Sequence, residues 1–199
     1  MKLETLNSAV LVHVCCVACA LAVLEPLRRV GRVVLFFHNP NIHPLIEFRR
    51  RLTAVQVLAE RERLELVADD RYGLKEFLTR TAPWGRPARC LACWRMRLTE
   101  TARVAAERGF EAITTTLLSS THQDHSCVRR IGQEAAAEKG LQFHYEDFRP
   151  LAAKAHEEAK RRNLYRQQYC GCIFSEEERF MPTRLHLHRG TAGDGGTHE

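Results

Sequence analysis

The sequence predicts a three-layer α/β domain built on a mostly parallel sheet, and three observations carry that expectation. Short apolar, β-branched runs alternate with longer amphipathic segments along most of the chain. The intervening segments are of helical length, which parallel strands require of their connections. Glycine and proline fall mainly between the segments, where turns belong.

In chain order, residues 9–14 form an apolar strand that runs into Cys15 and Cys16, followed by a helical pattern from Cys19 to about Arg29 with Pro26 as a kink point. Gly31 ends it, and residues 32–37 are a second β-rich run that stops at a turn segment with two prolines, residues 38–44. Residues 46–63 read as a charged amphipathic helix and 64–68 as a third strand ending at Asp69 and Asp70. An irregular stretch with Pro83 and Pro87 then leads to Cys90 and Cys93, which precede a helix reaching Arg108 and capped by Gly109. Residues 112–118 form a strand, 119–126 a polar loop, the next helix runs to Lys139, and residues 142–145 form a last strand. One domain, residues 1–184, is expected, with a disordered tail at 185–199 whose His186 and His188 are solvated.

In such sheets sites form beyond the carboxyl ends of strands. Cys15 and Cys16, the 39–43 segment, Asp69 and Asp70, and Gln123-Asp124-His125 all occupy such ends, so convergence on one site is expected. The longest apolar run is too short for a bilayer, and residues 1–8 lack the marks of a secretory signal. A reducing cytosol with no membrane span is therefore the expected setting. There, eight cysteines favour metal or redox chemistry over structural cross-links. A net charge of +6 and a pI near 9.0 favour an anionic partner such as RNA.

Cys15-Cys16-Val-Ala-Cys19 puts three thiols at a strand-to-helix turn, where helix amides favour thiolates. Cys90-Leu-Ala-Cys93 has a spacing that lets two sulfurs reach one metal centre, and the two groups together suffice for a cubane cluster or a closed zinc site. Cys170-Gly-Cys172 can close only a small disulfide ring, which suits a redox relay, with metal ligation as the alternative. Cys127 reads as structural and His13 as a satisfied core residue. Asp124 and His125 are candidates for acid-base work or a further metal, against an N-cap role for Asp124. Glu176, Glu177 and Glu178 read as a solvated helix face, and the basic runs 49–51 and 160–162 as either solvated faces or contacts to the phosphates of an RNA partner.

Two readings from other classes compete. A thiol-disulfide oxidoreductase would use Cys16 and Cys19 but has no need of Cys90, Cys93, Cys170 and Cys172. A zinc-stabilised RNA-binding module explains the thiols and the charge, but not the Cys-Gly-Cys pair.

Taken together, His13-Val-Cys-Cys-Val-Ala-Cys19, Phe36-Phe-His-Asn-Pro-Asn-Ile-His-Pro44, Arg89-Cys-Leu-Ala-Cys93, Thr114-Thr-Thr-Leu-Leu118 with Gln123-Asp-His125, Tyr145-Glu-Asp-Phe-Arg-Pro150 and Tyr165-Arg-Gln-Gln-Tyr-Cys-Gly-Cys-Ile-Phe-Ser175 give a chain that resembles the epoxyqueuosine reductases of the QueH type. The resemblance implies an adenine-nucleotide hydrolase-like (HUP) fold and reduction of epoxyqueuosine to queuosine in tRNA. It implies a [4Fe-4S] cluster on Cys15, Cys16, Cys90 and Cys93, an additional mononuclear iron, a redox-active pair in Cys170 and Cys172, and an external electron donor. Cys19, Asp124 and His125 are the candidate ligands of the second metal.

Overall fold

A computed structural model describes residues 9–182, so the proposed tail at 185–199 lies outside the described residues. Five strands, β1 (Ala9–His13), β2 (Arg32–Phe37), β3 (Glu65–Ala68), β4 (Ala112–Thr115) and β5 (Gln142–Phe143), form one sheet in the order β3-β2-β1-β4-β5. Every pairing is parallel, and β1 sits at the centre with Val10, Leu11 and Val12 fully buried, as a strand covered on both faces must be.

The connections are α1 (Val17–Arg28), α2 (Leu45–Glu62), α3 (Leu74–Thr81), α4 (Ala88–Glu107) and α5 (His125–Ala137), followed by α6 (Ala152–Arg161) and α7 (Ile173–Phe180). The chain steps outward from β1 to β2 to β3, then returns across β1 to β4 and steps the other way to β5. Right-handed crossovers put α1 and α2 on one face and α5 on the other. α6 packs on α1, and α4 packs on α5, completing the three layers. Reversal of direction between β1 and β4 opens a crevice at their carboxyl ends, where Cys15 follows β1 and Thr116 follows β4.

Local chemistry moves several boundaries from their expected positions. The first helix starts at Val17, because the Cys16 sulfur accepts the Cys19 N–H and serves as N-cap; Cys19 lies within the helix. Pro87 precedes the first residue of α4, so Cys90 and Cys93 lie inside its first two turns and do not precede it. The fourth strand stops at Thr115, whose hydroxyl accepts the Leu117 N–H and turns the chain into a 3-10 segment, Thr116–Ser119. Residues 74–81, expected to be irregular in part, form α3, which buries only Phe77 and Thr81. Among the described residues no helix is long and apolar enough to cross a membrane.

Candidate redox centre at the β1–β4 crevice

Cys15, Cys16 and Cys19 bring their sulfurs within 4.8 Å of one another; among the described residues this is the one group of histidine, cysteine and acidic side chains dense enough to hold a metal ion. The first two are buried and Cys19 is partly open. Cys15 is held well below the usual thiol range by hydrogen bonds from the Cys16 and Cys19 thiols. Cys16 is pushed well above that range by burial, and Cys19 up to about 12 by its bond to Cys15. Within the trio, negative charge is thus favoured on Cys15 over its two neighbours. The Thr116 hydroxyl lies 3.6 Å from the Cys15 sulfur, tying the group to the end of β4.

Cys90, Cys93, Cys170 and Cys172 line a second feature, a cavity of about 170 Å³ shared with Trp94, Arg97 and Gln123. Positions 90, 93, 94 and 97 share one face of α4 by helical spacing. Burial pushes the Cys93 thiol up to about 12. Gln123 is oriented by Trp94, whose indole N–H donates to the amide oxygen at 2.8 Å; the amide nitrogen then donates to the Cys170 sulfur at 3.7 Å. Beside the cavity, sharing Gln123 and Cys170 with it, lies an outer cleft of about 580 Å³ lined by Cys19, His156, Gln167 and Gln168.

Arg97 joins the two sulfur groups. It is 1% exposed, its Nη2 has no hydrogen-bond partner, and the neighbours able to carry negative charge are Cys93, Cys15 and Cys170. A buried guanidinium whose charge partners are thiols marks a place that favours anionic sulfur, since an uncompensated buried charge costs several kcal/mol. Its Nε donates to His13 Nε2 at 3.1 Å, so His13 carries its proton on Nδ1 and donates to Thr115 Oγ1 at 2.9 Å. Burial, and then the Arg97 charge, lower the His13 pKa well below its ordinary value. His13 is therefore a satisfied, neutral core residue.

The sites expected at the strand ends converge only in part. Asn41, Gln123 and Asp124 reach the thiol cavity. His38 and Asp69 do not: they pair with each other at 2.9 Å, and His38 lines a separate groove of about 760 Å³ with Arg71, Arg80 and Arg95. Arg71, and then His38, hold the Asp69 carboxyl well below the usual carboxylate range. Asp124 is the N-cap of α5: it accepts from the Ser126 hydroxyl and the Cys127 N–H, which lower its pKa to about 2. A carboxylate so committed is ionised at neutral pH and a poor proton donor. His125 turns away toward Asp147, 3.9 Å distant.

Charged runs also resolve. Arg49 and Arg50 are exposed but Arg51 is buried, and Arg161 and Arg162 are paired with Glu158. Glu178 is not simply solvated: it accepts from Arg89 at 2.5 Å on the rim of the thiol cavity. Arg97, Trp94 and Arg51 were missed as site residues, although helical spacing from Cys93 and from Phe48 places Arg97 and Arg51 on inward faces.

A family model described as "Epoxyqueuosine reductase QueH" matches residues 10–178. A protein of that name from Dehalococcoides mccartyi is 36% identical over 171 residues, covering 85% of this chain and 93% of the relative. One from Thermotoga maritima is 34% identical over 184 residues, covering 85% and 91%. Among solved structures, the chain is similar to the U34-tRNA thiolase NcsA from Methanococcus maripaludis with its [4Fe-4S] cluster, with a TM-score of 0.53 and 14% identity. That match covers 88% of this chain and 65% of the thiolase, a likeness of fold.

Proposed function

The chain belongs to the epoxyqueuosine reductase QueH family, and from that premise we propose that it reduces epoxyqueuosine in tRNA to queuosine with an iron-sulfur cluster. The observation that carries the proposal is the sulfur density at the crevice: a trio within 4.8 Å next to a cavity lined by four more cysteines. Chemically the donor set fits a cluster, being rich in sulfur and facing the buried cation of Arg97. Cys15, Cys16, Cys90 and Cys93 would hold the [4Fe-4S] cluster. Cys19 is then the remaining thiol of the trio for an additional mononuclear iron.

When bound, the cluster supplies one-electron transfer beside the substrate. Converting an epoxide to an alkene breaks two C–O bonds, forms one C=C bond and releases the oxygen as water, at the cost of two electrons and two protons. Cys170 and Cys172 can deliver all four: two S–H bonds break, one S–S bond forms, and an external donor later restores the dithiol. The thiols thereby take the acid role that the capped Asp124 cannot. The hydrogen bond from Gln123 holds the Cys170 sulfur at the cavity wall. The inner cavity takes the epoxide end, and the outer cleft, with its glutamines and His156, takes base and sugar from a single-stranded loop.

The test is anaerobic purification with iron, sulfide and zinc analysis, followed by incubation with epoxyqueuosine-containing tRNA, a chemical reductant, and nucleoside mass spectrometry. Roughly four irons and four sulfides, a broad band near about 400 nm and formation of queuosine are expected. A colourless protein holding one zinc and leaving the tRNA unchanged overturns the proposal in favour of a zinc-stabilised RNA-binding module.

A further inference from the structure

Arg51 sits on α2 with its side chain 1% exposed, and three of its N–H groups donate hydrogen bonds. Nε donates to Glu47 Oε1 at 2.7 Å, Nη1 to the Cys170 carbonyl at 3.0 Å, and Nη2 to the Tyr169 carbonyl at 3.0 Å. The group also lies 5.6 Å from the Tyr169 ring centre. Glu47, one turn earlier, accepts the Tyr165 hydroxyl on its other oxygen. The next carbonyl of the loop, that of Gly171, accepts the His43 N–H at 2.8 Å, and the Tyr169 hydroxyl donates to the His43 carbonyl.

Three successive carbonyls of the Tyr169-Cys170-Gly171 segment are thus captured from α2 and the turn before it. An ion pair serving only the core would need Glu47 alone; the two outward bonds of the guanidinium go to the backbone that carries Cys170. Gly171 has φ +134°, and a Cβ there would stand 3.2 Å from both Arg51 Nη1 and Ile42 Cγ1, so the loop is fitted closely around this side chain. Only a planar fork can span two adjacent carbonyls while pairing with a carboxylate, and lysine cannot.

We infer that Arg51 is the positioning residue of the Cys170–Cys172 pair: it touches no substrate, and it fixes the two sulfurs against the thiol cavity in the geometry from which they are oxidised. The inference rests on the redox reading of that pair. R51K keeps charge and approximate bulk but gives up the fork. The double variant E47M/R51M removes the buried pair together, so that no lone charge is left in the core. Both are compared with the wild-type holoenzyme for iron content, melting temperature, the dithiol–disulfide midpoint potential read by alkylation and mass spectrometry, and kcat and KM with epoxyqueuosine tRNA.

The expected result is unchanged iron and KM, a shifted midpoint potential and a kcat at least tenfold lower, in R51K and, where it folds, in E47M/R51M. An unchanged midpoint potential and kcat in R51K overturn the inference and leave Arg51 as part of a core ion pair. Full turnover by C170S would instead remove the redox reading of the pair, a result that the Arg51 variants do not produce.

Discussion

Cys16 and Cys172 make the same local bond, a cysteine sulfur accepting the N–H three residues on at the start of a helix, at 3.2 Å to Cys19 and 3.3 Å to Ser175. What surrounds them differs. Cys16 continues from the central strand, inside a sheet whose neighbours are set by backbone pairing, and Cys15 beside it is fastened to Thr116. Cys172 belongs to a loop beyond the sheet, held by side chains and the 42–43 backbone, with Cys170 exposed. Thiols fixed by a sheet keep their separations, as a metal site requires. Thiols fixed by a few hydrogen bonds can be adjusted, as a pair that makes and breaks a bond requires.

The largest expected effect tests the first half of that contrast. Cys15→Ser should remove most of the bound iron and all measurable turnover, read by metal analysis and queuosine formation. Cys170→Ser should separate the halves, leaving iron and the visible spectrum intact while turnover falls by at least about a hundredfold. If the spectrum is lost, Cys170 is a ligand and the contrast fails.

Gly171→Ala probes the loop alone. The positive φ and the 3.2 Å contacts should cost about 1–2 kcal/mol in chemical denaturation and about tenfold in kcat, with iron unchanged.

Acid should reach the anchor of the loop. The His43 ring lies among Tyr72 and Phe77 with neither nitrogen bonded, and burial lowers its pKa to about 4. The unfolded chain takes up that proton near pH 6.5 and the folded chain near 4, so stability is complete above 6.5 and falls as the pH drops toward 4. The loss should approach about 3 kcal/mol, and His43→Phe should suppress it in denaturant titrations across that range. The smallest effect is expected for Asp124→Asn. Asparagine also caps helices well, so melting temperature should be nearly unchanged and turnover should stay within about threefold, whereas loss of turnover would restore Asp124 as an acid.

Much of this was legible in the sequence because it is periodic. The strands flanking β1 announce themselves by continuous apolar runs, and their carboxyl ends carried the residues that now line the crevice. Short and mixed elements were not legible. Most of α3 faces solvent, so the two buried residues Phe77 and Thr81 could not mark it against the surrounding charge. Arg51 reads with Arg49 and Arg50 as one basic run, a solvated face or an RNA contact, although its phase with Phe48, Val55 and Leu58 puts it inside. Asp124 shows the limit from the other side: a carboxylate before a helix reads equally as acid or cap, and only the hydrogen bonds to Ser126 and Cys127 decide.

The crevice is assembled from parts far apart in the chain. His13 meets Thr115 across 102 residues, and Arg51 meets Cys170 across 119. Contacts of that span are costly to close, because the intervening chain must give up its freedom. No amino-terminal fragment ending before Cys172 contains all the sulfurs, so a chain emerging from the ribosome has the trio long before it has the pair. Order of synthesis thus separates the two halves in time, and the complete site belongs to the finished fold.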